Sequence, residues 1–169
     1  MVSNRVASML RGSRPFRTSS SVLDEACMPR VMKDGGSSAT SPSARAARMI
    51  AALLNGIGYV FIARLAEDRF QVGANGPLDV DRLGHHAPRD GSVAVREITA
   101  GTSCVGIWGP RARDVLARLT REDLTNASFR YFRAKRLTLD HIPVTALRVS
   151  YVGELGWELY TTSDHGLAL

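Results

Sequence analysis

Apolar and polar positions along this 169-residue chain fall into short stretches with a period of two, separated by stretches in which apolar residues recur every three or four positions. Tyr59 to Leu65 reads as a strand, Ala66-Glu67-Asp68 as a turn, and Arg69 to Ala74 as its hairpin mate. Asn75-Gly76 breaks the run, and Pro77 follows where a missing N–H costs nothing. A helix is therefore predicted from Pro77 to His86, with Leu83 packing inward. Val93 to Ile98 and Ser103 to Ile107 read as a third and a fourth strand, joined by the Thr99-Ala100-Gly101-Thr102 turn. Trp108-Gly109-Pro110 then opens a second helix. Between Arg111 and Leu119 the residues Ala112, Val115, Leu116 and Leu119 recur at helical spacing and predict one face against a sheet. Strand, strand, helix thus occurs twice, which argues for an α+β domain with helices packed on an antiparallel or mixed sheet.

After Leu124-Thr125-Asn126 the period of two returns in Leu137, Leu139, Ile142, Val144 and Leu147, with Asp140-His141 as a turn. The run from Arg148 to Leu159 reads as another hairpin. Leu147, Val149 and Tyr151 mark one alternation, Gly153 to Gly156 interrupts it, and Trp157, Leu159 and Thr161 start the next. Glu154 stands between Gly153 and Gly156, where backbone can approach a bulky group while the carboxylate faces it. The plainer reading makes Glu154 a polar hairpin corner, and Tyr151 and Trp157 core aromatics. Upstream, Ala46 to Leu54 reads as a short helix, or as a strand from Met49 onward, stopped by Asn55-Gly56 and Gly58.

Composition narrows the function classes. The net charge of +6 is concentrated in residues 1–48, where eight Arg or Lys stand against three acids; residues 49–169 hold fourteen against thirteen. A nearly neutral body argues against a nucleic-acid module, even though Phe129, Tyr131 and Phe132 are interleaved with Arg130, Arg133, Lys135 and Arg136. Residues 1–48 are rich in serine and arginine, hold no sustained apolar period and are expected to be a disordered leader. Their arginine-rich start also has the composition of an organelle-targeting segment. No run of 18 apolar residues is present, so no membrane-crossing helix is expected. Cys27 and Cys104 stand in unlike surroundings, which suits a reducing compartment and gives no metal knuckle; Cys104 reads as a buried small hydrophobe. His85 and His86 near a helix end read as surface residues or helix-dipole partners.

Four runs taken in order carry a family resemblance: Phe70-Gln71-Val72-Gly73-Ala74-Asn75, Gly106-Ile107-Trp108-Gly109-Pro110-Arg111-Ala112-Arg113-Asp114-Val115-Leu116, Leu119-Thr120 with Asp123-Leu124-Thr125-Asn126, and above all Ile142-Pro143-Val144 with Leu147 to Tyr160. Together they resemble the tetrahydrofolate-binding domain of the glycine cleavage T-protein (aminomethyltransferase) family, in the version fused behind the flavin domain of dimethylglycine and sarcosine dehydrogenases. The resemblance implies that residues 49–169 form part of such a domain and take a methylene unit from an amine donor to tetrahydrofolate. It places Glu154 on the pterin ring, Tyr151 in the same pocket, and Gly73-Ala74-Asn75 against the folate. A pterin edge offers adjacent donors that an ionised carboxylate accepts as a pair, and its flat ring needs an aromatic or aliphatic slot.

The same resemblance sets expectations about what is missing. Family members carry Asn-x-x-Gly-Gly-(Ile or Val)-x-x-Asp ahead of the first hairpin, its aspartate positioning or deprotonating the folate amine. Here Leu53 to Arg64 contains no Asp, so no catalytic residue is assigned. The domain is expected to be cut in mid-course at the C-terminus, with no counterpart of its N-terminal strands in residues 1–48. FAD is expected only in a fused or separate oxidoreductase domain, since no Gly-x-Gly-x-x-Gly fingerprint occurs. No metal is expected. The implied partners are the folate, an amine donor and a flavin-domain chain or the rest of the enzyme, in the cytoplasm or, for a eukaryote, the mitochondrial matrix. A noncatalytic fragment or adapter that keeps the fold is the alternative.

Overall fold

The computed structural model describes residues 5–10, 61–66, 68–74 and 76–169. The described chain up to Thr99 forms one compact unit and Ala100–Leu169 belongs to a second. The element expected over Ala46 to Leu54 and the first two residues of the strand expected from Tyr59 lie outside the described residues.

In the first unit, β1 (Arg5–Leu10), β2 (Phe61–Ala66), β3 (Arg69–Ala74) and β4 (Ala94–Glu97) form an antiparallel sheet in the order β2-β3-β1-β4. The expected β2–β3 hairpin is present, with a register shift between Arg64 and Ala66. β1 falls inside the stretch whose composition predicts disorder, yet it pairs with both β3 and β4. Six residues without a strict alternation leave no legible strand signal; pairing partners far along the chain supply the backbone hydrogen bonds. Helix α1 (Pro77–His86) has the expected bounds, with proline in its first turn. The Asp79 carboxylate accepts the Gly76 N–H at 3.3 Å, closing the start of the helix. Leu83 is 1% exposed and packs with Phe70, Val72 and Val93, with Ile62 and Val95 around them. His86 turns back through Nδ1 to the Arg82 carbonyl at 2.9 Å and is exposed.

In the second unit, β5 (Thr102–Trp108), β6 (Ala134–Leu139), β7 (Ile142–Leu147) and β8 (Gly156–Thr162) form an antiparallel sheet in the order β5-β8-β7-β6. β4 and β5, though separated in sequence only by Ile98 and a short 3-10 turn at Thr99–Gly101, therefore belong to different sheets. Helix α2 is shorter than its period predicts, Ala112–Leu116 only. Ala112 and Leu116 enter the core, whereas Val115 and Leu119 are exposed at 49% and 45%. The core between α2 and the sheet is built on Trp157, Leu159, Leu137, Leu139, Val144 and Phe129. Trp157, wholly buried as its core reading predicts, lies with Phe129 at 6.2 Å and with the Arg148 and Arg113 guanidiniums 5.6 and 5.9 Å from its ring.

The aromatic and basic stretch is largely spent on this packing. Phe129 is buried, Lys135 pairs with Glu122 at 3.0 Å, and Tyr131 and Phe132 pack ring against ring at 4.0 Å. The fold is thus α+β with open antiparallel sheets.

Candidate functional site

Strand register decides which side chains share a face, because opposite residues on neighbouring strands project to the same side. In the second sheet, Trp157, Leu159 and Val144 face α2. The other face carries Glu158, opposite Gly106 and Leu147; Tyr160, opposite Cys104 and Thr145; and Trp108, opposite Gly156. Glu158 is 3% exposed and Tyr160 is 4% exposed. The Tyr160 hydroxyl donates to Glu158 Oε2 at 2.7 Å, and among the described residues no basic side chain lies within ion-pair distance of that carboxylate. A buried carboxylate costs free energy unless its acceptor capacity is met, and one hydroxyl leaves most of that capacity open.

The neighbours respond to the charge. Desolvation, then the Glu158 charge and Cys104, push the Tyr160 hydroxyl far above its ordinary range, so it stays a donor at any accessible pH. Cys104 is exposed as a residue, correcting its expected burial, but its thiol shares a hydrogen bond with Tyr160. Desolvation there, with the Glu158 charge adding to it and the Tyr160 bond opposing it, raises the thiol to about 11.

Next to Glu158 the sheet is hollowed by Gly106 and Gly156, and the Trp108 indole lies in the hollow. A Cβ on Gly106 would overlap Cζ3 and Cη2 of that ring, and one on Gly156 would overlap Cδ1. The indole Nε1–H donates to the Val149 carbonyl at 3.0 Å, and Tyr151 meets the ring edge-on with centroids 6.3 Å apart. Trp108 remains 38% exposed.

The hairpin expected at Arg148 to Leu159 has a different form. β7 ends at Leu147 and β8 begins at Gly156, so Tyr151 is on a loop and not on a strand. The backbone groups of 148–150 are engaged elsewhere. Arg148 exchanges hydrogen bonds with Phe132 and Arg133, its guanidinium donates to the Phe129 carbonyl, Val149 accepts from Trp108, and Ser150 accepts from Tyr131. Gly153 takes φ 77°, which a side chain would strain, and lets the loop turn. Tyr151 is 62% exposed and Glu154 is exposed.

Of the remaining residues implied by the resemblance, Gly73 is in β3 of the first unit, where a Cβ would overlap the Phe61 ring. Gln71, two residues earlier and so on the same face, is 4% exposed with no partner for Nε2. Asn75 lies outside the described residues, as do 53–60 of the segment that lacks the aspartate. Tyr151 shares the second unit with Glu154, Glu158 and Trp108. Sequence reading passed over Glu158 because a lone acid in a run of strand residues has no local signal. Its one clue was parity: two positions from Tyr160 and one from the core residues Trp157 and Leu159, it had to face away from them. Among the described residues no three His, Cys, Asp or Glu side chains cluster to hold a metal.

The GCVT N-terminal domain family matches residues 45–169. The mitochondrial dimethylglycine dehydrogenase of Homo sapiens is 47% identical over 77 residues, which is 46% of this chain and 9% of the human protein. Sarcosine oxidase subunit alpha of Corynebacterium sp. (strain P-1) is 38% identical over 113 residues, 62% of this chain and 12% of that subunit. The chain therefore spans a small part of the length of these relatives. In fold it is similar to the heterotetrameric sarcosine oxidase from Corynebacterium sp. U-96, with a TM-score of 0.66 over 98% of this chain and 74% of that one at 18% identity.

Proposed function

Because the chain belongs to the GCVT N-terminal domain family, we propose that it is the tetrahydrofolate-binding part of a one-carbon transfer enzyme of the dimethylglycine dehydrogenase or aminomethyltransferase kind, and that Glu158 is its principal pterin acceptor. The observation that carries this reading is a carboxylate 3% exposed whose one described partner is a tyrosine hydroxyl. Adjacent ring N–H and amino donors on a pterin would meet the open acceptors, and charge-assisted bonds made out of water are stronger than those made in it. Glu154 competes for the same role, but its carboxylate is exposed and a pair formed there is screened. In this proposal Glu154 and Tyr151 are contacts of the 148–155 loop with the rest of the ligand.

The residues present fit the group as a binding site. Bound tetrahydrofolate would supply the amine that receives the one-carbon unit. This chain's own groups would hold and orient the ring: Tyr160 fixes one oxygen of Glu158, and the other accepts from the ligand. Chemistry is a different matter, since the segment Leu53 to Arg64 has no acid to hold the amine's proton. We accordingly propose binding by this chain with weak transfer activity of its own. The amine donor and the flavin chemistry belong, in this proposal, to a further domain or chain.

Calorimetric titration of the full chain with 5-formyltetrahydrofolate tests the reading. Glu158→Gln is expected to weaken binding by roughly 10- to 100-fold, the range for a hydrogen bond to a charged group, and Glu154→Gln by much less. The reverse order would return the acceptor role to Glu154. No heat from the folded wild-type chain would exclude folate binding altogether.

A further inference from the structure

We propose that Trp108 is the stacking wall of this site, its outer indole face receiving the flat ring whose donor edge Glu158 accepts; the proposal rests on the folate reading above. Three observations converge on it. First, one face of the indole rests on backbone, because the positions a Cβ would take on Gly106 and Gly156 are filled by ring atoms. The opposite face is therefore turned away from the sheet. Second, the ring is held in place: Nε1–H is spent on the Val149 carbonyl and Tyr151 braces the edge. A pre-fixed aromatic surface loses little freedom when a second ring stacks on it. Third, the ring is beside the carboxylate, since Gly106 is the direct cross-strand partner of Glu158.

A packing role alone accounts poorly for this side chain. Trp108 contributes to neither buried cluster and is 38% exposed, whereas its neighbour Ile107 packs on the helix-side core. Tryptophan in a glycine hollow leaves a flat, apolar, solvent-facing platform next to a single buried acceptor, and that combination suits a planar heteroaromatic ligand with donors along one edge. The same arrangement would discriminate against ligands that bring the donors without the flat ring.

The chain contains two tryptophans, and Trp157 is wholly buried in the helix-side core. Fluorescence therefore isolates Trp108. Titration of the full chain with 5-formyltetrahydrofolate is expected to quench the wild type and leave Trp108→Phe unquenched, since the remaining indole is out of reach. In parallel calorimetry Trp108→Leu should weaken binding roughly three- to tenfold and Trp108→Phe by no more than about twofold, as loss and retention of a stacked ring predict. Wild-type affinity in both variants overturns the stacking role, while Glu158→Gln still tests the acceptor separately. A quench that survives in Trp108→Phe overturns it as well, and this readout holds even if Trp108→Leu fails to fold. Absence of wild-type binding removes the folate reading and the wall with it.

Discussion

The two units solve the same structural problem with different chemistry. Each sheet covers one face with a helix, anchored by Leu83 in the first unit and by Ala112 and Leu116 in the second. On the other face of each, an aromatic ring lies over glycine: Phe61 over Gly73, and Trp108 over Gly106 and Gly156. Beside each ring is a buried polar group, the Gln71 amide in the first unit and the Glu158 carboxylate in the second. The difference is the charge. A neutral amide with an unpartnered Nε2 costs about 1–3 kcal/mol to bury, whereas a carboxylate with one hydroxyl partner costs more and is stable only in a setting prepared for it. A ring over glycine recurs in both units, and the carboxylate is what makes one of the two faces a candidate site.

The comparison breaks most sharply if the charge is moved. Gln71→Glu should destabilise the first unit by about 3 kcal/mol at pH 7, because the buried carboxyl resists ionising. Such a group has its folded pKa raised, so the penalty is absent below about pH 4 and grows as pH rises toward the folded value. Urea denaturation at pH 4 and pH 7 would show it, and a pH-independent cost would mean that the position tolerates charge.

Filling the hollows comes next. Gly73→Ala and Gly106→Ala should each cost about 1–3 kcal/mol by driving a methyl into a seated ring. Adding Phe61→Ala or Trp108→Ala should make the same methyl far less costly, and double-mutant cycles measure that coupling. Additive costs would show that the rings are not seated on those glycines. Smaller, and opposite in sign, Glu158→Gln should raise the stability of the ligand-free chain by about 1 kcal/mol while it weakens folate binding, since it removes a buried charge and keeps an acceptor for Tyr160. A loss of stability would mean that the carboxylate is held for structural reasons.

The least disruptive test reads the field of Glu158 from its neighbour. In a Cys27→Ser background, alkylation of Cys104 should rise with a midpoint near pH 11 in place of the ordinary 9.0, and Glu158→Gln should lower that midpoint. The raised value also means that Cys104 favours the folded chain fully below about pH 9 and that this contribution is lost between about pH 9 and 11. A midpoint unchanged in Glu158→Gln would leave desolvation as the whole cause.

Local pattern determined a good part of this protein. The bounds of α1, the β2–β3 and β6–β7 hairpins, Leu83 as the inward helix residue and Trp157 as core all follow from periods and turn residues within a few positions of one another. The α+β class follows from their order. The quoted runs also carried the family. Tertiary structure alone decided that β4 and β5 part into different sheets, that Val115 and Leu119 stay in water, and that the run after Leu147 is a loop. These outcomes depend on partners distant in sequence, such as Trp108 for Val149, Phe129 and Arg133 for Arg148, and β1 for β4. The same holds for the acid proposed as the acceptor. Glu154 is conspicuous in sequence because glycines flank it, whereas Glu158 is distinguished by its own burial, at 3% exposure, where cross-strand register sets it opposite Gly106 and Leu147.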